Sequence, residues 1–307
     1  MFHKKLKHSC LAGLLGVGVL SGCSLPGISA GSGDETVTIA TTDTSESQII
    51  GHMLRLMIER QTDANVEMLN NIATSVVAHQ AMLDGDVNVS ATRYSGTDMA
   101  AIFNEDPTDL DPDDGGSYMM KEYEERFDQT WFPSYGFDNN YAFAVHEDLA
   151  EEEDLETISD LEAIADTADT GVDTNWLSRE GDGYPAFQEQ YGFEFENINP
   201  MQIGLVYDAL ASGNMDIVLA YTSDGRIDAY NLQLLEDDMQ FFPPYDTSAV
   251  ANNDLLEANP SIEEAILQLE GEISTEQMQT LNYEADAELR EPAIVAEDFL
   301  EENNYFE

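Results

Sequence analysis

The chain has 307 residues, of which 62 are Asp or Glu and only 11 are Lys or Arg, for a formal net charge of −51. Such a surface repels phosphate backbones and anionic membrane faces, so nucleic acid is excluded as a partner, while the length suffices for a sizeable core in one or two domains. The acidic residues run along the whole chain among aromatics and aliphatics. That distribution argues against an acidic tail or a disordered chain and leaves a salt-adapted surface, whose self-repulsion high ionic strength screens.

The N-terminus reads as a secretion signal. Lys4, Lys5 and Lys7 form a positive start, and an apolar stretch follows from Cys10 to Leu20. That stretch falls short of the roughly 20 residues a membrane span needs. Leu20-Ser21-Gly22-Cys23 has the form of a lipobox. Residues 1–22 are therefore expected to be removed and Cys23 to carry a lipid, placing the protein on the extracellular face of the cell membrane by that anchor alone. Cys10 leaves with the signal, so no intramolecular disulfide is available and the fold must rest on its core. Residues 23–35, rich in Gly and Ser, suit a flexible tether.

The body opens on Thr36-Val-Thr-Ile-Ala40, a β-rich alternation that predicts a strand. Ile49, Met53, Leu56 and Met57 then recur at helical spacing to about Arg60. A strand at Val66–Leu69, a helix at Thr74–Leu83 and a strand at Val87–Ala91 complete a pattern typical of a parallel α/β layer. A loop rich in Asp, Pro and Gly runs from Asn104 to Ser117, followed by an acidic helix at Tyr118–Phe127. After Trp131-Phe-Pro-Ser-Tyr135 a second α/β unit begins with a strand at Tyr141–Val145. It continues with a helix near Ser159–Thr167, a strand at Gly171–Asp173, a helix at Pro200–Ser212 and a strand at Asp216–Tyr221. Phe241-Phe-Pro-Pro-Tyr245 marks a second crossing, and mainly helices are expected after it, at Ile262–Leu269, Ser274–Tyr283 and Pro292–Asn303. The expected fold is α/β, a two-lobe periplasmic-binding-protein-like (type II) architecture with two hinge crossings. Residues 36–135 and 243–307 make one lobe and residues 136–242 the other.

Nothing in the chain demands catalysis or a cofactor. His-Glu-x-x-His, Gly-x-Ser-x-Gly and phosphate-binding Gly loops are absent. His52 and His79 fall within predicted helices, where lone histidines are ordinarily solvated or core residues. The acidic run Asp106 to Asp114 lacks the spacing and internal Gly of a calcium loop, so no metal is expected. The tyrosines say more. Tyr94 follows a strand directly, Tyr141 begins one, Tyr221 closes one and Tyr245 sits in the second crossing. In open α/β layers ligands sit at strand ends, and four aromatic faces meeting there suit a quaternary ammonium. Such a cation has no conventional hydrogen bonds to give and is held by ring quadrupoles at about 0.5 to 2 kcal/mol per contact. A polar amino acid or other carboxylate ligand held by Arg226 or Arg93 is the alternative, since Arg captures carboxylates bidentately.

Several stretches carry a family resemblance: Ser45-Glu-Ser-Gln48, Asp86-Val-Asn-Val-Ser-Ala-Thr-Arg-Tyr-Ser-Gly-Thr-Asp98, Gln129-Thr-Trp-Phe-Pro-Ser-Tyr-Gly-Phe137, Gly181-Asp-Gly-Tyr184, Pro200-Met-Gln-Ile-Gly-Leu-Val-Tyr-Asp208, Ser223-Asp-Gly-Arg226 and Gln240-Phe-Phe-Pro-Pro-Tyr-Asp246. Together they resemble the OpuBC/OpuCC-like (ProX-type) substrate-binding lipoproteins of osmoprotectant ABC importers. The resemblance implies capture of choline, glycine betaine or carnitine for delivery to the importer's membrane permease subunits. It also implies a cage of Tyr94, Tyr141, Tyr221 and Tyr245, with Asn139 and Gln48 as polar contacts to the other end of the ligand. Thr97, where an acidic residue goes with choline preference in that family, implies broader acceptance, because a carboxylate there would repel that of a betaine.

Overall fold

The computed structural model describes residues 36–109, 115–174, 176–179 and 181–306. The signal, Cys23, the tether and part of the acidic loop lie outside these residues. The first sheet has the order β2-β1-β3-β10-β4, built from β1 (Thr36–Thr42), β2 (Asn65–Ile72), β3 (Val89–Tyr94), β4 (Gln129–Trp131) and β10 (Thr247–Asn252). The second has the order β7-β6-β8-β5-β9, from β5 (Tyr141–His146), β6 (Asp169–Asp173), β7 (Asn197–Met201), β8 (Ile217–Tyr221) and β9 (Leu232–Leu234). In each sheet three strands run parallel, and the strand arriving by a crossing from the other sheet lies antiparallel beside them, β10 on β3 and β5 on β8.

Local chemistry sets the helices that buttress these sheets. Thr44 caps the helix Ser45–Gln61 by accepting from the Ser47 N–H, and Ile49, Ile50, Met53, Leu54, Met57 and Ile58 form its buried stripe. Thr74 caps Ser75–Asp84 in the same way, and Gly85 ends it in the left-handed region at φ 78°. Each lobe packs one largely aliphatic cluster and one rich in aromatics. The core under β1 is largely aliphatic, with Ile39, Ile49, Met53, Ile262, Met278 and Val295. The core behind β5 is aromatic, with Phe143, Trp176, Phe187, Phe195, Phe241 and Phe242 in mutual contact, Phe143 and Phe187 centroids lying 5.4 Å apart.

Four expectations change. β3 runs on to Tyr94, so this tyrosine ends the strand instead of following it. The expected helix at Ser159–Thr167 is a 3-10 helix, Ile158–Ala163, with Asp160 accepting from the Thr157 N–H at 2.8 Å. Pro200 belongs to the edge strand β7, where its missing N–H breaks no ladder, and the helix starts at Ile203. The chain after the second crossing first contributes a strand, β10, before the helices Pro260–Leu267, Thr275–Asp286 and Pro292–Glu302.

Candidate ligand-binding cleft

Sheet register brings the tyrosines together. Tyr141 and Tyr221 are direct partners across the β5–β8 ladder, with ring centroids 5.1 Å apart. Tyr94 pairs with Thr247 across β3–β10, two residues past Tyr245. The segment around Tyr245 is pinned by the Ser95 hydroxyl, which donates to the Pro244 carbonyl at 2.9 Å, and by its own N–H, which donates to Asn140 Oδ1 at 2.8 Å. Gly96 makes room for the ring, since a Cβ there would stand 3.0 Å from two Tyr245 ring atoms.

The four rings line one cleft of about 490 Å³ together with Thr44, Thr97, Asn139, Arg179 and Asp182. Gln48 is not in this wall: its Nε2 donates to Asn71 Oδ1 at 3.2 Å, and its segment contributes Thr44 to the cleft instead. Arg93 and Arg226, the cations considered for a carboxylate ligand, are also elsewhere. Arg93 is fully buried against Asp98 at 2.7 Å, with the Tyr123 phenol donating to the same carboxylate at 2.5 Å. Strand alternation explains this, because Arg93 faces away from its neighbour Tyr94. Arg226 donates to Asp224 at 2.7 Å and to the Gly204 carbonyl at 2.7 Å.

The cation at the cleft is Arg179, which the sequence reading passed over with Asp182. Its guanidinium donates to Asp182 at 3.2 Å and to the Tyr141 hydroxyl at 3.1 Å. Burial works against the Arg179 charge, but Tyr141 and Asp182 outweigh it and raise its pKa. Asp182 is 3% exposed and also accepts from the Tyr245 hydroxyl at 3.0 Å. On the opposite wall the Tyr94 hydroxyl donates to Glu46 at 2.7 Å, and Asn139 Nδ2 donates to the same oxygen at 3.1 Å. Burial first, then the neighbouring Glu46, pushes the Tyr94 pKa well up. Burial likewise raises Tyr141, reinforced by Tyr221, and Tyr245, reinforced by Asp182. These rings therefore stay neutral phenols, presenting quadrupoles and no charge. Glu46 and Asp182 both sit in stretches already picked out, Ser45-Glu-Ser-Gln48 and Gly181-Asp-Gly-Tyr184. A carboxylate fixed within a short polar motif was the available signal.

The two crossings meet in a bridge between Asp138 and Asp246. Burial, then hydrogen bonding to and repulsion from Asp246, pushes the Asp138 pKa up to about 7.

Two lobes of matching strand order, joined by paired crossings and enclosing an aromatic cleft, define the class of two-lobe solute-binding proteins. The chain belongs to the family of substrate binding domains of ABC-type glycine betaine transport systems, whose model matches residues 35–302. It is 50% identical over 288 residues to the carnitine transport binding protein OpuCC of Listeria monocytogenes, covering 94% of this chain and 93% of that one. A glycine-betaine-binding protein of Pseudomonas aeruginosa is 29% identical over 242 residues, covering 75% of this chain and 76% of that protein. A solved structure of a glycine betaine/carnitine/choline ABC transporter matches with a TM-score of 0.85 and 48% identity, over 88% of this chain and 100% of that one. The protein is thus a substrate-binding component of an ABC transporter. Among the described residues, no helix is long and apolar enough to cross a membrane.

Proposed function

We propose that this chain captures quaternary-ammonium compatible solutes, namely glycine betaine, carnitine and choline, in a cage of Tyr94, Tyr141, Tyr221 and Tyr245. The carrying observation is the convergence of these four rings, from four distant segments, on one cleft. Neutral phenol faces attract a trimethylammonium group, which water hydrates weakly and which needs no hydrogen-bond acceptor. Thr97 and Asn139 supply polar edges for the rest of the ligand, and Thr97 carries no charge to repel a betaine carboxylate. Gln48 is left out of this contact set.

Capture proceeds by closure of two lobes, residues 36–135 with 243–307 against 136–242, about the crossings. The loaded protein then docks on the permease subunits of its importer, and no bond is made or broken. Cys23 holds the protein to the extracellular face of the membrane through its lipid, and the tether of residues 23–35 gives it reach. Arg179 at the cleft supports a second reading, a ligand bound chiefly by its carboxylate, although the guanidinium is already engaged by Asp182 and Tyr141.

Titration of the lipid-free protein in molar salt with choline, glycine betaine and carnitine, followed by intrinsic fluorescence, tests the assignment. Saturable binding of all three is expected. Replacing any cage tyrosine by Ala should weaken each by roughly tenfold or more, about 1.5 kcal/mol of lost ring attraction. Wild-type affinity in two such variants would refute the cage, and binding of choline alone would refute broad acceptance at Thr97. A folded protein that ignores all three but binds a carboxylate amino acid would favour the Arg179 reading.

A further inference from the structure

Glu46 is 4% exposed, and among the described residues no Lys, Arg or His stands within ion-pair distance of it. Its partners are neutral donors. One oxygen accepts from the Tyr94 hydroxyl at 2.7 Å and Asn139 Nδ2 at 3.1 Å, and the other faces Asn282 Nδ2 at 3.4 Å. Tyr94 and Asn139 both line the cleft, so Glu46 lies one side chain behind its wall. The other carboxylate at the wall, Asp182, has its charge offset by Arg179. Glu46 also occupies the first turn of the helix Ser45–Gln61, where the positive end of the helix dipole favours an anion.

A buried carboxylate without a counter-ion is costly unless something compensates it. Three neutral donors and a helix start satisfy its hydrogen bonds without supplying a counter-ion. We propose that Glu46 is the charge-selecting residue of the cleft, a fixed anion behind Tyr94 that favours a ligand cation at the cage and completes its own neutralisation only when that cation is bound. It acts through two routes. Its field reaches the cleft through a low-dielectric wall, where charges interact more strongly than in water. Its hydrogen bond also draws the Tyr94 phenol proton towards it, leaving more electron density on the ring that meets the cation. Glu46 is a positioning residue in this role, because Tyr94 and Asn139 stand between it and the ligand.

The proposal rests on the quaternary-ammonium reading, and the test separates the two. Three probes are compared: choline, with a net positive charge; glycine betaine, a zwitterion; and 3,3-dimethyl-1-butanol, the uncharged isostere of choline. In wild type, choline and betaine bind; if neither does, the ligand assignment falls and the Glu46 role with it. In Glu46→Gln, choline should weaken about tenfold or more, betaine less, and the neutral isostere by no more than about twofold. Glu46→Asp, which keeps the charge, should restore much of the choline affinity. Equal losses for choline and the isostere would make Glu46 a merely structural residue, and unchanged choline binding would remove it from selection altogether. If Glu46→Gln does not fold, Asn282→Lys places a cation against an intact Glu46 and should produce the same selective loss of choline. A variant at Asn282 that binds choline as wild type does would overturn the proposal.

Discussion

Tyr94 closes β3 in the first sheet as Tyr221 closes β8 in the second, and Tyr245 leads into β10 as Tyr141 opens β5. The same strand order therefore delivers two rings from each side, one at the end of a parallel strand and one at the entry of the incoming antiparallel strand. What stands behind the rings does not follow that pattern. Behind Tyr94 is Glu46, held by neutral donors, whereas behind Tyr245 and Tyr141 is Asp182 paired with Arg179. Topology places the aromatic faces, and a helix start and a loop decide the charge behind them. The rings are thus delivered symmetrically, while of the two carboxylates behind them only Glu46 lacks an ion-pair partner among the described residues.

The comparison can be broken most forcefully through the ion pairs beside the tyrosines. Asp98→Ala would leave Arg93 fully buried without its partner, and a loss of about 3–5 kcal/mol is expected in thermal or denaturant unfolding. Asp224→Ala, beside Tyr221, should destabilise much less, since Arg226 keeps solvent access and the Gly204 carbonyl. Comparable losses from the two variants would show that the first wall is not specially dependent on its buried pair.

Hydroxyl removal sharpens the comparison at smaller amplitude. Tyr94→Phe takes from Glu46 its closest donor and should weaken choline binding about fivefold, the equivalent of roughly 1 kcal/mol. Tyr245→Phe leaves Asp182 with Arg179, and its effect should stay within about twofold. Calorimetric titration of both variants with choline decides, and a reversed order would locate the dominant anion in the second wall.

A separate test belongs to the crossings, which both lobes share. With Asp138 raised to about 7 from an ordinary carboxylate value near 4, the folded chain holds a proton that the unfolded chain has released. Stability from this group is fully present below about pH 4 and is lost as pH rises through about 7. Melting temperature should therefore decline between about pH 4 and 7 and level off above, a decline that Asp138→Asn flattens. A wild-type decline that persists unchanged in Asp138→Asn would assign it to other acidic groups.

Much of this was legible in the chain. Tyr94, Tyr141, Tyr221 and Tyr245 could be placed because β-rich runs such as Asp216–Tyr221 fix where strands end, and strand ends are where α/β layers meet ligands. β10 was not legible: Thr247-Ser-Ala-Val-Ala-Asn252 is small and weakly apolar, and it becomes a buried central strand only because β3 and β4 flank it. Pro200 read as a helix start because Pro favours the first helical turn, yet an edge strand tolerates it equally. Arg179 and Asp182 escaped for a different reason. Their roles depend on the Tyr141 and Tyr245 hydroxyls that the fold brings within 3.0–3.1 Å of them, and no local pattern encodes a contact between residues so far apart in sequence. Gln48 shows the converse, a polar residue in the right segment whose side chain is taken by a neighbour, Asn71.

The place of β10 between β3 and β4 also bears on how the protein is born. Every strand of the second sheet lies in one continuous stretch of chain, so that sheet can be completed as soon as β9 has emerged. The first sheet cannot: β3 and β4 are made early but remain unjoined until β10 arrives from beyond the whole second sheet, and such distant pairing is slow. Maturation therefore has a built-in order, with one half finished while the other waits with open strand edges. Because Tyr245 arrives on the segment that closes the last gap, the first sheet and the ring set of the cleft are completed together, before the C-terminal helices fill the core, and a chain truncated before Tyr245 would lack both.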